Sequence, residues 1–348
     1  MFGESSVAEP VVSIVIPTRN RLRFLQEAVE SVRRQTYPNW ELIVVDDCSE
    51  DDTWAWLSSL HDPFIRPVSL ERHSERSAAR NRGFANVRGE FVLFLDDDDR
   101  LDPRALERLV RVLPRHPHTV AVVGARVVFD ERGHRRRVSH TRIPLVCGVW
   151  REVLLGWAAI SGQVLFRRGV LAEVGGWNER LTYAEDHELL LRVSRRGPIA
   201  FVPHTVLYNR VHPGQTRPVD AGGVEEELRR AYVAALPAKE HAEGEVVLIA
   251  RRHLLKAWED WRAGSAGTTF VHALRASRFV PQLVVSPVFP IAPDLLRFAA
   301  GAMAGKRGVH AIKVLRAWWR QILRRDPEAG RRARIHGSAP WADGDDSF

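Results

Sequence analysis

The chain has 348 residues, 45% of them hydrophobic and 27% charged, ordinary globular usage that excludes wholesale disorder and fits one large domain with an appendage, or two domains. Two cysteines, Cys48 and Cys147, exclude a disulfide framework and a four-cysteine zinc site. The net charge is +8, with 31 basic and 29 acidic residues in 1–220 against 20 and 14 in 221–348, so the positive excess lies late in the chain.

In chain order, VVSIVIP (residues 11–17) reads as a strand buried on both faces. Residues 21–35 place Leu22, Leu25, Ala28, Val29 and Val32 at helical spacing. ELIVVDD (41–47) is a second strand, and 51–60 a short helix with an acidic first turn. A weak strand at 64–69 precedes a helix over 76–84. GEFVLFLDDDD (89–99) is a buried strand that ends in acid, and Pro103 opens a helix over 104–113. This β-α-β-α rhythm argues for a parallel α/β sheet. A strand follows at 120–129, then a polar basic loop (130–139) and an irregular stretch (140–160) containing Trp150 and Trp157. Beyond it come a strand at 161–168, a helix over 184–195 and two short strands at 199–202 and 205–211. From residue 222 the pattern is helical in about four segments, and 326–348 is polar and glycine-rich.

Ligands of open α/β sheets bind beyond the carboxyl ends of the strands. Strand one ends in PTRNR, strand two in Asp46–Asp47, and the strand at 91–95 in Asp96, Asp97, Asp98 and Asp99. Three clusters distant in sequence therefore converge on one rim. Six carboxylates and two arginines in one cleft are costly unless something binds there. A divalent cation would relieve the repulsion among four consecutive aspartates, and oxygen ligands suit Mg²⁺ or Mn²⁺. Asp96 and Asp98 can share a face of an extended segment. The plainer alternative is a solvated acidic loop capping the following helix. A phosphoacceptor site is a further alternative, weakened because residues 1–220 contain no lysine.

VSIVIPTRNR, ELIVVDDCSEDDT, RSAARNRG, EFVLFLDDDDRLDP and GWNERLTYAEDHELLLRVSRRG, in this order over about 11–215, resemble family 2 glycosyltransferases with the GT-A fold. The resemblance implies a Rossmann-like, mixed but mostly parallel sheet flanked by helices, here with a helical C-terminal extension. The expected organisation is a flexible N-terminus (1–10), a GT-A domain (11–220), a helical region (221–325) and a disordered tail (326–348). By the same resemblance, Pro17, Thr18 and Arg19 form the first nucleotide-contacting loop. Asp47 accepts a hydrogen bond from the base, commonly uracil, although it could equally cap the helix after Ser49. Arg80 and Asn81 lie over the nucleotide and diphosphate. Asp96 and Asp98 correspond to the DxD pair, with Asp98 a direct metal ligand; Asp97 and Asp99 leave the register open by one residue.

Glu185–Asp186 resembles the family's ED motif, which makes Asp186 the general base. A sugar hydroxyl is a poor nucleophile and needs a positioned carboxylate to take its proton. Helix-terminal charge complementing the macrodipole is the alternative for Asp186. Trp177 and Trp157 could stack on sugars or belong to the core. Ser161–Gly162 resemble a wall of the sugar site. In YNRVHPGQTR, His212 resembles the histidine that approaches the diphosphate or metal, and Arg210 could neutralise phosphate charge.

The implied reaction moves a sugar from a nucleoside-diphosphate donor, commonly UDP-linked, to an acceptor hydroxyl with inversion, assisted by Mg²⁺ or Mn²⁺. The setting would be synthesis of cell-surface polysaccharide, glycolipid or glycoconjugate. A sugar-1-phosphate nucleotidyltransferase would need a glycine-rich loop after strand one, and PTRNR has none. A non-catalytic nucleotide-sugar-binding scaffold would be expected to lack the carboxylates present here. MFGESSVAEP has no charged or apolar segment of a secretory signal, and apolar runs such as 279–292 are broken by proline, so a cytoplasmic location is expected. Residues 306–334 hold ten basic and two acidic residues interleaved with apolar ones. A helix there could lie on the inner face of a membrane, near a lipid-linked acceptor, or pack on protein. No motif points to nucleic acid.

Overall fold

The computed structural model describes residues 11–130, 132–138, 145–154, 159–213, 215 and 230–262. By backbone proximity the chain divides into two compact units, 1–148 with 158–228, and 149–157 with 229–348.

The first unit is built on a ten-stranded mixed sheet, mostly parallel by ladder length. The strands are β1 (Val12–Thr18), β2 (Trp40–Asp46), β3 (Ile65–Ser69), β4 (Phe91–Phe94), β5 (Arg100–Leu101), β6 (Ala121–Asp130), β7 (Arg135–Val138), β8 (Leu145–Cys147), β9 (Val164–Arg167) and β10 (Ile199–Val211). The order is β3-β2-β1-β4-β9-β6-β10-β5, with β7 added on β6 and β8 on β10. The helices of this unit are α1 (Leu22–Arg33), α2 (Thr53–Ser59), α3 (Glu75–Phe84) and α4 (Ala105–Val110), and after α5 (Trp150–Leu154) of the second unit, α6 (Arg168–Glu173) and α7 (Glu185–Ser194).

β3, β2, β1 and β4 are mutually parallel, as expected from right-handed β-α-β crossovers over continuous apolar strands. In α1 the buried positions Leu25, Ala28, Val29 and Val32 form one stripe against the sheet. β1 tolerates Pro17 near its end because the ladder to β4 stops at Val15–Phe94. The N–H that proline lacks would point to that unpaired side. Helix α3 lies so close to β1 and β2 that a Cβ on Gly83 would stand 2.3 Å from Val15 Cγ1 and 3.1 Å from Val45 Cγ2. Only glycine permits this approach, which brings the α3 side chains to the strand ends.

Three expectations need correction. Residues 130–139, read as a loop, contain β7, paired antiparallel to β6 from Arg126–Val138 to Phe129–Arg135. The two short strands near the end are one strand, β10, whose pairing to β6 shifts register between Phe201 and Leu207. Pro203 sits in that irregularity, and a bulge accommodates a residue that cannot donate to the ladder. The strand at 89–99 leaves the sheet after Phe94, so the four aspartates lie beyond it; the chain then pairs again as β5, antiparallel to β10.

The second unit contributes α5 and α8 (His241–Arg262). Arg151 of α5 pairs with Glu243 of α8 at 2.5 Å, and Arg251 Nη1 donates to the Leu154 carbonyl at 3.3 Å. No helix among the described residues is long and apolar enough to cross a membrane. Trp157, residues 306–334 and the tail at 326–348 lie outside the described residues.

Candidate active site

A cleft of about 570 Å³ opens where β1, β2 and β4 end. It is lined by the expected Pro17, Thr18, Arg19, Asp47, Arg80, Asp96 and Asp98. Arg21, the second arginine of PTRNR, lines it as well, and so do His73, Glu75, Arg76 and Asn209, which were not singled out. His73 and Glu75 directly precede RSAARNRG and Arg76 opens it, and their proximity to that segment was the available signal. All four non-glycine residues with positive φ among the described residues are Asn20 (54°), Cys48 (60°), Glu75 (69°) and Ala184 (53°). They follow Arg19, follow Asp47, begin α3 and precede Glu185. Such backbone is disfavoured by about 1–3 kcal/mol per residue and persists where surrounding structure demands it, often at sites.

The four aspartates diverge. Asp97 turns toward β1, accepting from Thr18 Oγ1 at 2.8 Å and Arg21 Nη1 at 3.1 Å; burial pushes its carboxyl up to about 6. Asp98 accepts from Arg21 Nη1 at 3.2 Å and lies 3.0 Å from His212 Nε2. Asp99 accepts from Asn209 Nδ2 and from the Arg210 backbone N–H at 2.8 Å, and burial together with Asp98 and Asp96 raises its pKa well above the usual range. Asp96 takes Arg80. Oxygens of Asp96, Asp98 and Asp99 lie within 4.8 Å of one another. Three hard oxygen donors this close together fit Mg²⁺ or Mn²⁺. The trio includes Asp99 alongside the DxD pair. His212 is outside it and reaches it through Asp98. Arg210 backs the cluster: its Nε donates to the Asp98 carbonyl at 3.0 Å, its Nη2 pairs with Glu27 at 2.5 Å, and it lies over Phe24.

Arg80 joins the two acidic groups. It is 3% exposed, with Nη2 2.6 Å from Asp96 and Nη1 2.8 Å from Glu185, and lies 4.4 Å over the Trp177 ring. Asn81 does not line the cleft. Its Nδ2 donates to the Trp177 carbonyl and Glu179, and its Oδ1 accepts from the Trp177 N–H at 2.8 Å. The side chain thereby docks the loop before α7 onto α3. Trp177 is itself core, edge-on to Phe94.

Asp186 stands at the start of α7, outside the wide cleft, on a small cavity shared with Ser161, Trp177 and Leu189. Ile160 lines both spaces. Burial, then the Glu185 charge, push the Asp186 carboxyl up to about 7 against the opposing pull of Arg80. In the wide cleft Asp47 is fixed on both oxygens, by His73 Nδ1 at 2.7 Å and by the Ser74 N–H at 2.8 Å. The side chain with which sequence alone offered to cap the helix after Ser49 is thus engaged by the segment leading into α3; the carboxylate that meets the Ser49 N–H, at 3.3 Å, is Asp46.

Comparison with known proteins matches residues 13–175 to the model of glycosyl transferase family 2. Residues 13–175, just under half of the chain, belong to glycosyltransferase family 2. An uncharacterized protein of Sinorhizobium fredii, y4gI, is 34% identical over 59% of this chain and 23% of its own length. The O-antigen biosynthesis protein RfbC of Myxococcus xanthus is 26% identical over 88% of this chain and 23% of its own. The chain thus spans about a quarter of these relatives. The crystal structure of S. aureus TarS 1-349 in complex with UDP superposes with a TM-score of 0.57 at 21% identity, covering 82% of this chain and 88% of that one. The chain shares the GT-A fold.

Proposed function

We propose that the chain transfers a sugar from a nucleoside-diphosphate donor, with UDP the preferred carrier, to an acceptor hydroxyl with inversion, in the assembly of a cell-surface polysaccharide or related glycoconjugate. The catalytic domain is taken to be 11–220, with 221–325 accessory. The observation that carries this reading is one cleft lined by Asp47, Asp96 and Asp98, with Asp99 beside the last two and Arg80 tying Asp96 to Glu185, the neighbour of Asp186. The O-antigen role named for the Myxococcus relative and the UDP bound in the TarS structure support the substrate class.

In this reading Asp47, held by His73 and Ser74, presents its remaining lone pairs to the base. Arg19, Arg21 and Arg76 give the cleft positive charge for a diphosphate. Asp96, Asp98 and Asp99 would hold a divalent cation, which supplies charge neutralisation for the departing diphosphate. Asp186, with its raised pKa, takes the acceptor proton as the new glycosidic bond forms on the face opposite the leaving group. Arg80 engages Glu185 at 2.8 Å, leaving Asp186 as the carboxylate free to act.

The test is Asp186→Asn, assayed for transfer and for UDP binding by titration calorimetry with Mn²⁺. Transfer should fall by about 10²–10⁴-fold, the usual contribution of a general base, with UDP affinity retained. Near-normal turnover would remove Asp186 from the mechanism. Failure of the unmutated chain to bind UDP would remove the donor assignment.

A further inference from the structure

Arg126, on β6, is a part-buried guanidinium whose placement the reaction above does not use. Its Nη1 donates to Gln163 Oε1 at 2.6 Å, and Gln163 is itself fully buried and anchored by Nε2 to the Gly124 carbonyl at 2.8 Å. The head group is therefore held in place. Its Nε is buried with no hydrogen-bond partner, and no ion pair to it occurs among the described residues. Burial lowers its pKa, while the charges of Asp99 and Asp186 act in the opposite sense and that of Arg136 adds to the effect. A cation taken out of water without a contacting anion is expensive, and such groups mark places where a ligand brings the missing charge.

Two further observations point to the same place. Arg136 of β7 pairs with Val128, and Arg126 pairs with Val138. Alternation along the two strands therefore puts both arginines on one face, diagonal to one another at a spacing of about 7–8 Å. Arg136 is exposed, and no hydrogen bond or ion pair engages it among the described residues. Second, the cavity at Asp186 holds two polar groups without partners, Ser161 Oγ and Trp177 Nε1, on residues only 8% and 4% exposed. Unmet hydrogen-bonding capacity thus lies beside the carboxylate assigned as base, and unmet positive charge lies on the strand next to it.

We propose that Arg126 and Arg136 form an acceptor subsite for an anionic group, so that the natural acceptor carries a phosphate or carboxylate close to the hydroxyl that Asp186 deprotonates. This rests on the reading of Asp186 as base. The acceptor is favoured over the donor diphosphate as the source of the anion because the wide cleft is lined by Arg19, Arg21, Arg76 and Arg80 and not by Arg126. In the sheet, β6 also lies beyond β9 from the donor-side strands β1, β2 and β4.

The experiment uses the full chain with UDP and Mn²⁺ present and three probes: glycerol 3-phosphate, methyl β-D-glucuronide and the neutral methyl β-D-glucoside. Binding of the two anionic probes and not of the glucoside is expected. Arg136→Gln and Arg126→Gln should each weaken the anionic probes by about tenfold or more, as loss of a charge-assisted contact does, and leave UDP affinity unchanged. Arg136 is exposed on a hairpin, so its variant tests the idea without a folding penalty. Equal binding of the glucoside, unaltered anion binding in both variants, or UDP binding without anion binding at tens of millimolar would each overturn the subsite. Weakened UDP in the variants would show the anion to be the donor's diphosphate and overturn the acceptor assignment. Absence of UDP binding by the unmutated chain would instead defeat the transferase reading beneath it.

Discussion

Asp186 keeps its proton to about pH 7 in the folded chain, surrounded by Glu185, Asp96, Arg80 and Arg126. A general base works only when ionised, so kcat/KM should fall about tenfold per pH unit below pH 7 and level off above it. A pH–rate profile at fixed metal concentration checks this. A plateau reaching down to pH 5 would contradict it. Stability runs the other way. The folded chain binds this proton more tightly than the unfolded chain, so stability falls as pH rises from the ordinary carboxylate range through about 7. Asp186→Asn should flatten that slope in denaturant titrations across the same range. The ED pair was singled out in the sequence by its resemblance to a family motif at the start of an amphipathic helix. The raised pKa was not, since it comes from burial beside Trp177 and the chain-distant Ile160 and Phe94.

At the scale of elements, Arg80 pins α3 to the loop after β4 and to the start of α7. Removing it would leave Glu185, 5% exposed, without its main cation. Arg80→Met should cost about 3–5 kcal/mol, as for other broken buried pairs; urea unfolding at pH 8 measures it. A change under about 1 kcal/mol would mean that Glu185 finds another partner or water. The strands that sequence revealed well, β1, β2 and β4, have long buried runs and therefore read as continuous apolar stretches, whereas half-buried β3, IRPVS, gave only a weak signal. β7 was hidden because its sequence, RRRV, is exposed and owes its strand form to pairing with β6. β10 was split because Pro203 interrupts a strand that in the fold runs past it with a register shift. Asn81 was legible as part of a motif, but its engagement with Trp177 and Glu179 depends on a contact 96 residues away and more.

At the scale of the whole molecule, the cleft draws on β1, β2, α3, the loop after β4 and β10, so a ligand there ties together segments from residue 17 to residue 215. UDP with Mn²⁺ should accordingly stabilise the fold as a unit, by about 2.7 kcal/mol at a free concentration 100 times Kd. Differential scanning fluorimetry with UDP, Mn²⁺ and both together reads this. A shift with UDP that EDTA leaves unaltered would argue against metal at the aspartate trio.

The pairing of the aspartate run also bears on how the polypeptide is made. Asp97 meets Thr18 and Arg21, which leave the ribosome before it. Asp99 depends on Asn209 and Arg210, and Asp98 on His212 as well as Arg21, the late partners lying 110 residues or more downstream. While the interval is being translated, a nascent chain holds a cluster of negative charge with half its neutralising groups still unmade, and the long central pairing of β6 to β10 cannot yet form. Completion of this pocket is therefore a late event in biogenesis, after the parallel half of the sheet has every strand it needs.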